Sequence, residues 1–222
     1  IAAAAHRHGA VVVTDNTWAT PLFFRPYDHG VDVTIHAATK YVVGHSDAMM
    51  GLITWQGEVG ALIDAGIKDM GAPAGPDDCW LALRGLRTMS VRLKQHEAAA
   101  LEIADWLAAR PEVAHVLHPA RPPCRGHEIF KRDFKGSSGL FGLELAPASE
   151  TAVAAMLDGM ALFGMGYSWG GFESLLIPTS PHRTARPWQA DGPMLRIHVG
   201  LEDPEDLKAD LDAGFARLRA AA

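Results

Sequence analysis

The sequence predicts an α/β fold leading into an α+β portion, and three observations carry that expectation. Two short apolar β-branched runs stand near the start: residues 11–13, all valine, and the alternating Val31, Val33 and Ile35. A charged residue lies just past each run, Asp15 and Lys40, which suits a sheet whose ligands bind beyond the carboxyl ends of its strands. Farther on, strand and helix patterns mix, the order expected of an α+β domain.

In chain order, residues 1–10 read as the end of a helix closed by Gly9. Residues 11–13 form a buried-strand pattern, and the stretch between Asp15 and Lys40 leaves room for a crossover, so the two strands can be neighbours. Residues 48–55 read as a further strand and 58–68 as a helix. The Gly- and Pro-rich run GAPAGPDD at 71–78 breaks the periodicity, and 79–85 is a short helix. A long Ala-, Leu-, Arg- and Glu-rich helical pattern follows over 86–110, ended by Pro111. It is expected to bridge two domains, 1–86 and 87–222. Beyond it, 113–117 and 138–145 read as strands, 150–159 as a helix, and 162–171 as a strand running into a turn. Residues 194–201 alternate, with Arg196 and His198 set against Leu195, Ile197 and Val199. Asp203 caps a last helix that has Pro204 at its first position and acids in its first turn.

Bulk properties narrow the function. The chain has 222 residues, 48% hydrophobic and 21% charged, enough for a sizeable globular core. The net charge of −6 with no basic run argues against nucleic acid as the partner. No apolar stretch reaches membrane-span length, and no signal peptide opens the chain. Cys79 and Cys124 stand in no paired or metal-like spacing, so they read as free thiols in a reducing cytoplasm. His6 with His8, and His115 with His118, lack the further ligands that a metal site needs, so no metal is expected.

An acid and a lysine facing one pocket point to pyridoxal phosphate, which is held by a lysine Schiff base while an acidic partner keeps its ring nitrogen protonated. The dull readings are a surface lysine and a turn-capping aspartate. The wording decides between them. D-N-T-W at 15–18, A-T-K-Y at 38–41 and G-H-S-D at 44–47 resemble the Cys/Met-metabolism family of pyridoxal-phosphate enzymes. The resemblance implies a fold of the aspartate-aminotransferase type (fold type I), with part of the large cofactor domain and the whole small domain present. It implies that Lys40 carries the cofactor and moves protons, that Asp15 partners the ring nitrogen, and that Thr39 donates to the phosphate. Ala37 departs from many relatives, which have serine there, so one phosphate donor is lost.

A second constellation, Y-S-W-G-G at 167–171, reads locally as a glycine turn; the resemblance places Ser168 at the substrate carboxylate and Trp169 beside the side-chain pocket. Arg196, in L-R-I-H-V-G, could pair with a structural acid. The matching family position binds the substrate α-carboxylate, a task for a planar, permanently charged fork. His45 and His198 are given supporting roles at most.

Within the family, the wording is nearest to bacterial enzymes that cleave cystathionine by β-elimination to homocysteine, pyruvate and ammonia. Many γ-type relatives carry H-P-x-x-M-T-H where this chain has I-P-T-S-P-H-R at 177–183. The alternatives left open are a γ-lyase, a γ-synthase, a cysteine desulfhydrase, or a non-catalytic fragment. The first residue is Ile1, and the family carries a substantial N-terminal part not found in this sequence. The chain is therefore expected to be a piece of a longer polypeptide, weak in cofactor binding by itself. The resemblance further implies dimers paired into tetramers.

Overall fold

The computed structural model describes residues 1–222 apart from Arg186 and Trp188. The chain divides into two compact units, residues 1–91 with 133–136, and residues 92–132 with 137–222.

In the first unit, a short helix α1 (Ala2–His6) precedes strand β1 (Val13–Asp15). A one-turn helix α2 (Thr20–Phe23) and a 3-10 turn at Pro26–His29 make the crossover to β2 (Val33–Ala37), and β3 (Gly51–Trp55) follows. β1 pairs parallel with β2, Val13 against Val33 and Asp15 against Ile35, as the charged strand ends led one to expect. β3 returns antiparallel on the other side of β2. On one face, the hydroxyls of Thr34 and Thr54 lie 2.7 Å apart, and Thr54 also meets the Tyr27 hydroxyl at 2.6 Å. The other face differs from expectation. The valine run predicts burial, yet Val11 and Val13 are 52% and 55% exposed. An apolar run of this kind suits a sheet covered on both sides. Here β1 is an edge strand, and no covering layer shields Val13, Ile35 or Ile53 among the described residues.

Two helices complete this unit, α3 (Val59–Met70) and α4 (Pro76–Leu86). α4 starts inside the Gly/Pro run because Pro76 fits the first helical position and Asp77 and Asp78 favour the positive end of the helix dipole. It presses its backbone onto the turn that follows β2, since a methyl at Gly85 would run into the Val42 and Val43 carbonyl oxygens. The long helix α5 (Met89–Ala108) begins three residues later than its pattern suggested, because α4 has already claimed Leu86.

In the second unit, the further elements are β4 (Val113–Leu117), α6 (His127–Asp133), β5 (Leu140–Leu145), α7 (Glu150–Asp158), β6 (Leu175–Pro178), β7 (Met194–His198) and α8 (Pro204–Ala220). The strands form an antiparallel sheet in the order β4-β5-β7-β6. One sheet face, with Phe141, Leu143, Leu145, Leu195 and Ile197, joins Ile103, Leu107, Met156, Leu211 and Phe215 of the helices in a closed core. Asp203 caps α8, accepting from Glu205 N–H at 2.8 Å.

Residues 162–171 are not the strand their pattern suggested; beyond a single bridge between Gly164 and Leu175 they form a loop. The cause is Asp210 on α8, a buried carboxylate that accepts from the N–H groups of Ala161, Leu162 and Phe163 at 2.9, 2.8 and 3.1 Å. Those amides are satisfied by a side chain instead of a ladder.

His118, at the end of β4, is fully buried and 5.1 Å from the Phe141 ring, and its Nε2 has no hydrogen-bond partner among the described residues. Burial, with help from the Arg121 charge, pushes its pKa down to about 4. The unfolded chain takes up a proton near pH 6.5 and the folded chain does not until about 4, so stability held above pH 6.5 is lost across that window as pH falls. The shift corresponds to roughly 3 kcal/mol. Urea unfolding between pH 7 and 4 is expected to show a shallower acid loss in His118→Asn than in the parent.

Candidate active site

The tips of β1 and β2 carry the first group of candidate residues. Asp15 ends β1 exposed, and its Oδ1 accepts from Thr17 N–H at 2.8 Å, while Oδ2 has no hydrogen bond among the described residues. Thr17 is buried and turns its Oγ1 to the Ala37 N–H, 2.9 Å away at the end of β2. Asn16, also buried, donates its backbone N–H to Ile35 O at 3.0 Å and its side-chain amide to Phe24 O at 3.1 Å. The D-N-T run thus stitches one strand end to the other. Behind the tips, His36 is buried; burial lowers its pKa, and the Asp15 charge works against that shift.

Lys40 sits half-buried in a tight turn off β2, its N–H donating to Ala37 O at 3.0 Å and its carbonyl accepting from Gly44 N–H at 2.8 Å. Its neighbours Tyr41 and Val43 are each 1% exposed and anchor the turn. Thr39 is tied to the entrance of β3, where its Oγ1 accepts from Met50 N–H at 3.0 Å. Met50 O is 3.5 Å from the same hydroxyl, too long to hold its proton firmly.

The second group lies in the other unit, on the β7 face opposite the core. The Nη2 of Arg196 donates to Tyr167 O at 2.9 Å, Gly166 O at 3.3 Å and Ser168 O at 3.4 Å. The guanidinium is partly buried, which lowers its pKa from the ordinary arginine range, and it has no carboxylate partner among the described residues. Arg196 is thereby brought to Ser168; Ser168 is exposed and Trp169 half-buried. None of the six residues singled out in the sequence lines the open depression of about 1390 Å³ formed by Leu117, Cys124, Arg125, His182, Arg183 and their neighbours. Among the described residues, no three His, Cys, Asp or Glu side chains gather as a metal site would require.

Comparison with known proteins decides what this arrangement belongs to. Residues 1–216 match the Cys/Met metabolism PLP-dependent enzyme family. The chain is a member of that family. Among curated relatives, the cystathionine beta-lyase of Escherichia coli (strain K12) is 47% identical over 215 residues, covering 94% of this chain and 54% of the relative. An L-alanine/L-glutamate racemase of Wolbachia pipientis is 45% identical over 218 residues, covering 96% of this chain and 54% of the relative. The crystal structure of cystathionine gamma synthase from Xanthomonas oryzae pv. oryzae superposes with a TM-score of 0.91 at 35% identity, covering 99% of this chain and 59% of the other. The chain therefore spans about half the length of the curated relatives it matches.

The residues present fit the family's cofactor. A pyridine ring held by a lysine needs an acceptor for its ring N–H, and Asp15 offers an uncommitted oxygen at the tip of the strand beside the one that leads to Lys40. Two residues that hold these tips carry no local signal in the sequence. Thr17 lies within D-N-T-W, yet residue type alone gives no sign that its hydroxyl reaches β2, because that contact joins residues 20 apart. Gly85 looked like a helix ending, and only the close approach of α4 to the lysine turn explains its lack of a side chain.

Thr17→Val removes the acceptor of the Ala37 N–H and is expected to destabilise the tips by about 1–2 kcal/mol and weaken pyridoxal phosphate binding. Thr17→Ser keeps the oxygen and is expected to bind the cofactor as the parent does. Fluorescence titration with the cofactor, alongside thermal unfolding, checks both.

Proposed function

We propose that the polypeptide carrying these residues cleaves the carbon–sulfur bond of cystathionine by β-elimination, taking up one water and giving homocysteine, pyruvate and ammonia. The observation that carries this reading is the Arg196 guanidinium, oriented by three carbonyls and lacking a carboxylate partner among the described residues. A charge in that position calls for an anion from outside, and an amino-acid α-carboxylate suits the Nη1 and Nε donors, which make no hydrogen bond among the described residues. Likeness to a bacterial cystathionine beta-lyase, and the I-P-T-S-P-H-R run at 177–183, favour β- over γ-elimination.

In this reading Lys40 would hold the cofactor, and its amine would take the proton from Cα. Pyridoxal phosphate, when bound, supplies the sink for the electron pair left there. Asp15 would keep the ring nitrogen protonated through its open oxygen, and Thr39 would offer its hydroxyl proton to the phosphate. Arg196 and Ser168 grip the α-carboxylate, and Trp169 borders the thioether. Homocysteine leaves Cβ as a thiolate.

The curated relatives are nearly twice as long, so the 222 residues alone are proposed to bind the cofactor weakly and turn over slowly. The same reading includes pairing of subunits into dimers and tetramers and a cytoplasmic location. Cys79 and Cys124, both unpaired, accord with the latter. No described helix is long and apolar enough to cross a membrane.

The deciding measurement is the product formed from cystathionine by the full expressed polypeptide loaded with pyridoxal phosphate. Pyruvate is expected, and borohydride should trap the cofactor on Lys40. Production of 2-oxobutyrate alone, or inversion at Cα without cleavage, overturns the β-elimination reading. Arg196→Lys keeps a charge but loses the fork, and should lower kcat/KM by roughly 10- to 100-fold, since a hydrogen bond to a charged group contributes about 1.5–3 kcal/mol.

A further inference from the structure

Two residues beyond Arg196, on the same face of β7, stands His198, 1% exposed. Its ring is boxed in. Leu140 of β5 and Leu175 of β6 are its cross-strand neighbours, and the His96 ring lies 5.3 Å away. The space beside it is so close that a methyl on Gly139 would come within 3.1 Å of His198 Cε1 and Nδ1. In this enclosure Nε2 faces the turn carrying Ser168 and Trp169. Gly170 N–H donates to Nε2 at 3.0 Å. Gly171 O is 3.3 Å from the same nitrogen; the shorter contact, in which Nε2 accepts, puts the ring proton on Nδ1.

Gly170 needs such a partner. It is buried, its φ of 83° lies in the left-handed region, and its N–H points inward where no ladder continues. The turn is therefore gripped twice from one strand. Arg196 donates to the carbonyls on its leading side, and His198 accepts from the amide on its trailing side.

We propose that His198 is a positioning residue for substrate binding, acting as the hydrogen-bond acceptor that fixes residues 167–171 against β7. The inference rests on the proposed function insofar as Ser168, Trp169 and Arg196 receive the substrate there. Because the carbonyls that orient Arg196 belong to the same turn, releasing Gly170 loosens both the turn and the guanidinium. That interaction is made alike with bound substrate and at the transition state, so its loss falls on KM and leaves kcat close to the parent value.

The test compares His198→Leu, which fills the space without an acceptor, with His198→Gln, whose Oε1 can take the place of Nε2. Both are made in the full expressed polypeptide loaded with pyridoxal phosphate. Hydrogen exchange over residues 167–171 and steady-state cleavage of cystathionine are measured. The Leu variant is expected to lose protection at Gly170 and to raise KM about 5- to 10-fold, the equivalent of one neutral hydrogen bond. The Gln variant should recover both. Unchanged exchange in the Leu variant, an effect confined to kcat or to the amount of folded protein, or failure of Gln to recover either readout, overturns the inference. A parent protein that does not cleave cystathionine defeats the proposed function instead, while the exchange comparison still decides the role of His198.

Discussion

The parallel pairing of β1 with β2 is the constraint on which the proposed cofactor site depends. Three residue pairs bring Asp15 level with Ile35, so the chain leaves both strands at the same end of the sheet. A three-residue strand is too short to hold such a register by its ladder alone. The D-N-T run supplies what is missing: Asn16 continues the ladder by one bond to Ile35, and Thr17 spans from the Asp15 carboxylate to the Ala37 amide. The aspartate is therefore placed by its own downstream neighbours, which are in turn bonded to the strand that delivers Lys40. Moving β1 by one residue would break all of these bonds and turn Asp15 to the opposite face.

β7 solves a related problem in the other unit. Its odd-numbered residues, Leu195 and Ile197, lie in the core, and its even-numbered ones, Arg196 and His198, reach the other way. Core packing on one face therefore helps fix the polar side chains on the other, where the turn at residues 166–171 and the His96 ring meet them. Asp210 contributes from a distance. By taking the amides of Ala161, Leu162 and Phe163, it keeps residues 162–171 out of the sheet as a free strand and leaves them to form the turn that Arg196 and His198 hold.

What could be read from the sequence follows from this division. Strand ends bearing a charge, the alternation around Arg196, and the Asp203 cap are local patterns in which residue type and spacing carry the physics, and the structure has them. Two expectations failed because the deciding partner lies far along the chain. Residues 162–171 alternate like a strand, but an aspartate some 48 residues later captures their amides. The valines at 11–13 read as buried, but burial is a property of what stacks upon them, and within these residues nothing covers that face. The helix boundary near Leu86 shifted for a smaller reason: two helical patterns abut there, and periodicity does not say which of them owns the residues between.

The same distinction explains why cofactor and fold are easier to read than substrate. The proposed cofactor site needs an amine for the Schiff base and a carboxylate for the ring nitrogen, a demand that few residue types can meet. The substrate, in the proposed function, meets one turn beside Arg196, and its recognition depends on the shape of that turn. That shape is set at residues 166–171 by backbone carbonyls and an amide bonded to Arg196 and His198, and backbone groups leave no trace in residue type. A beta-lyase, a racemase and a gamma synthase all align along nearly this entire chain. In the proposed function the substrate therefore depends on how this turn is held as well as on the fold, and the acceptor nitrogen of His198 is one place where a side chain holds it.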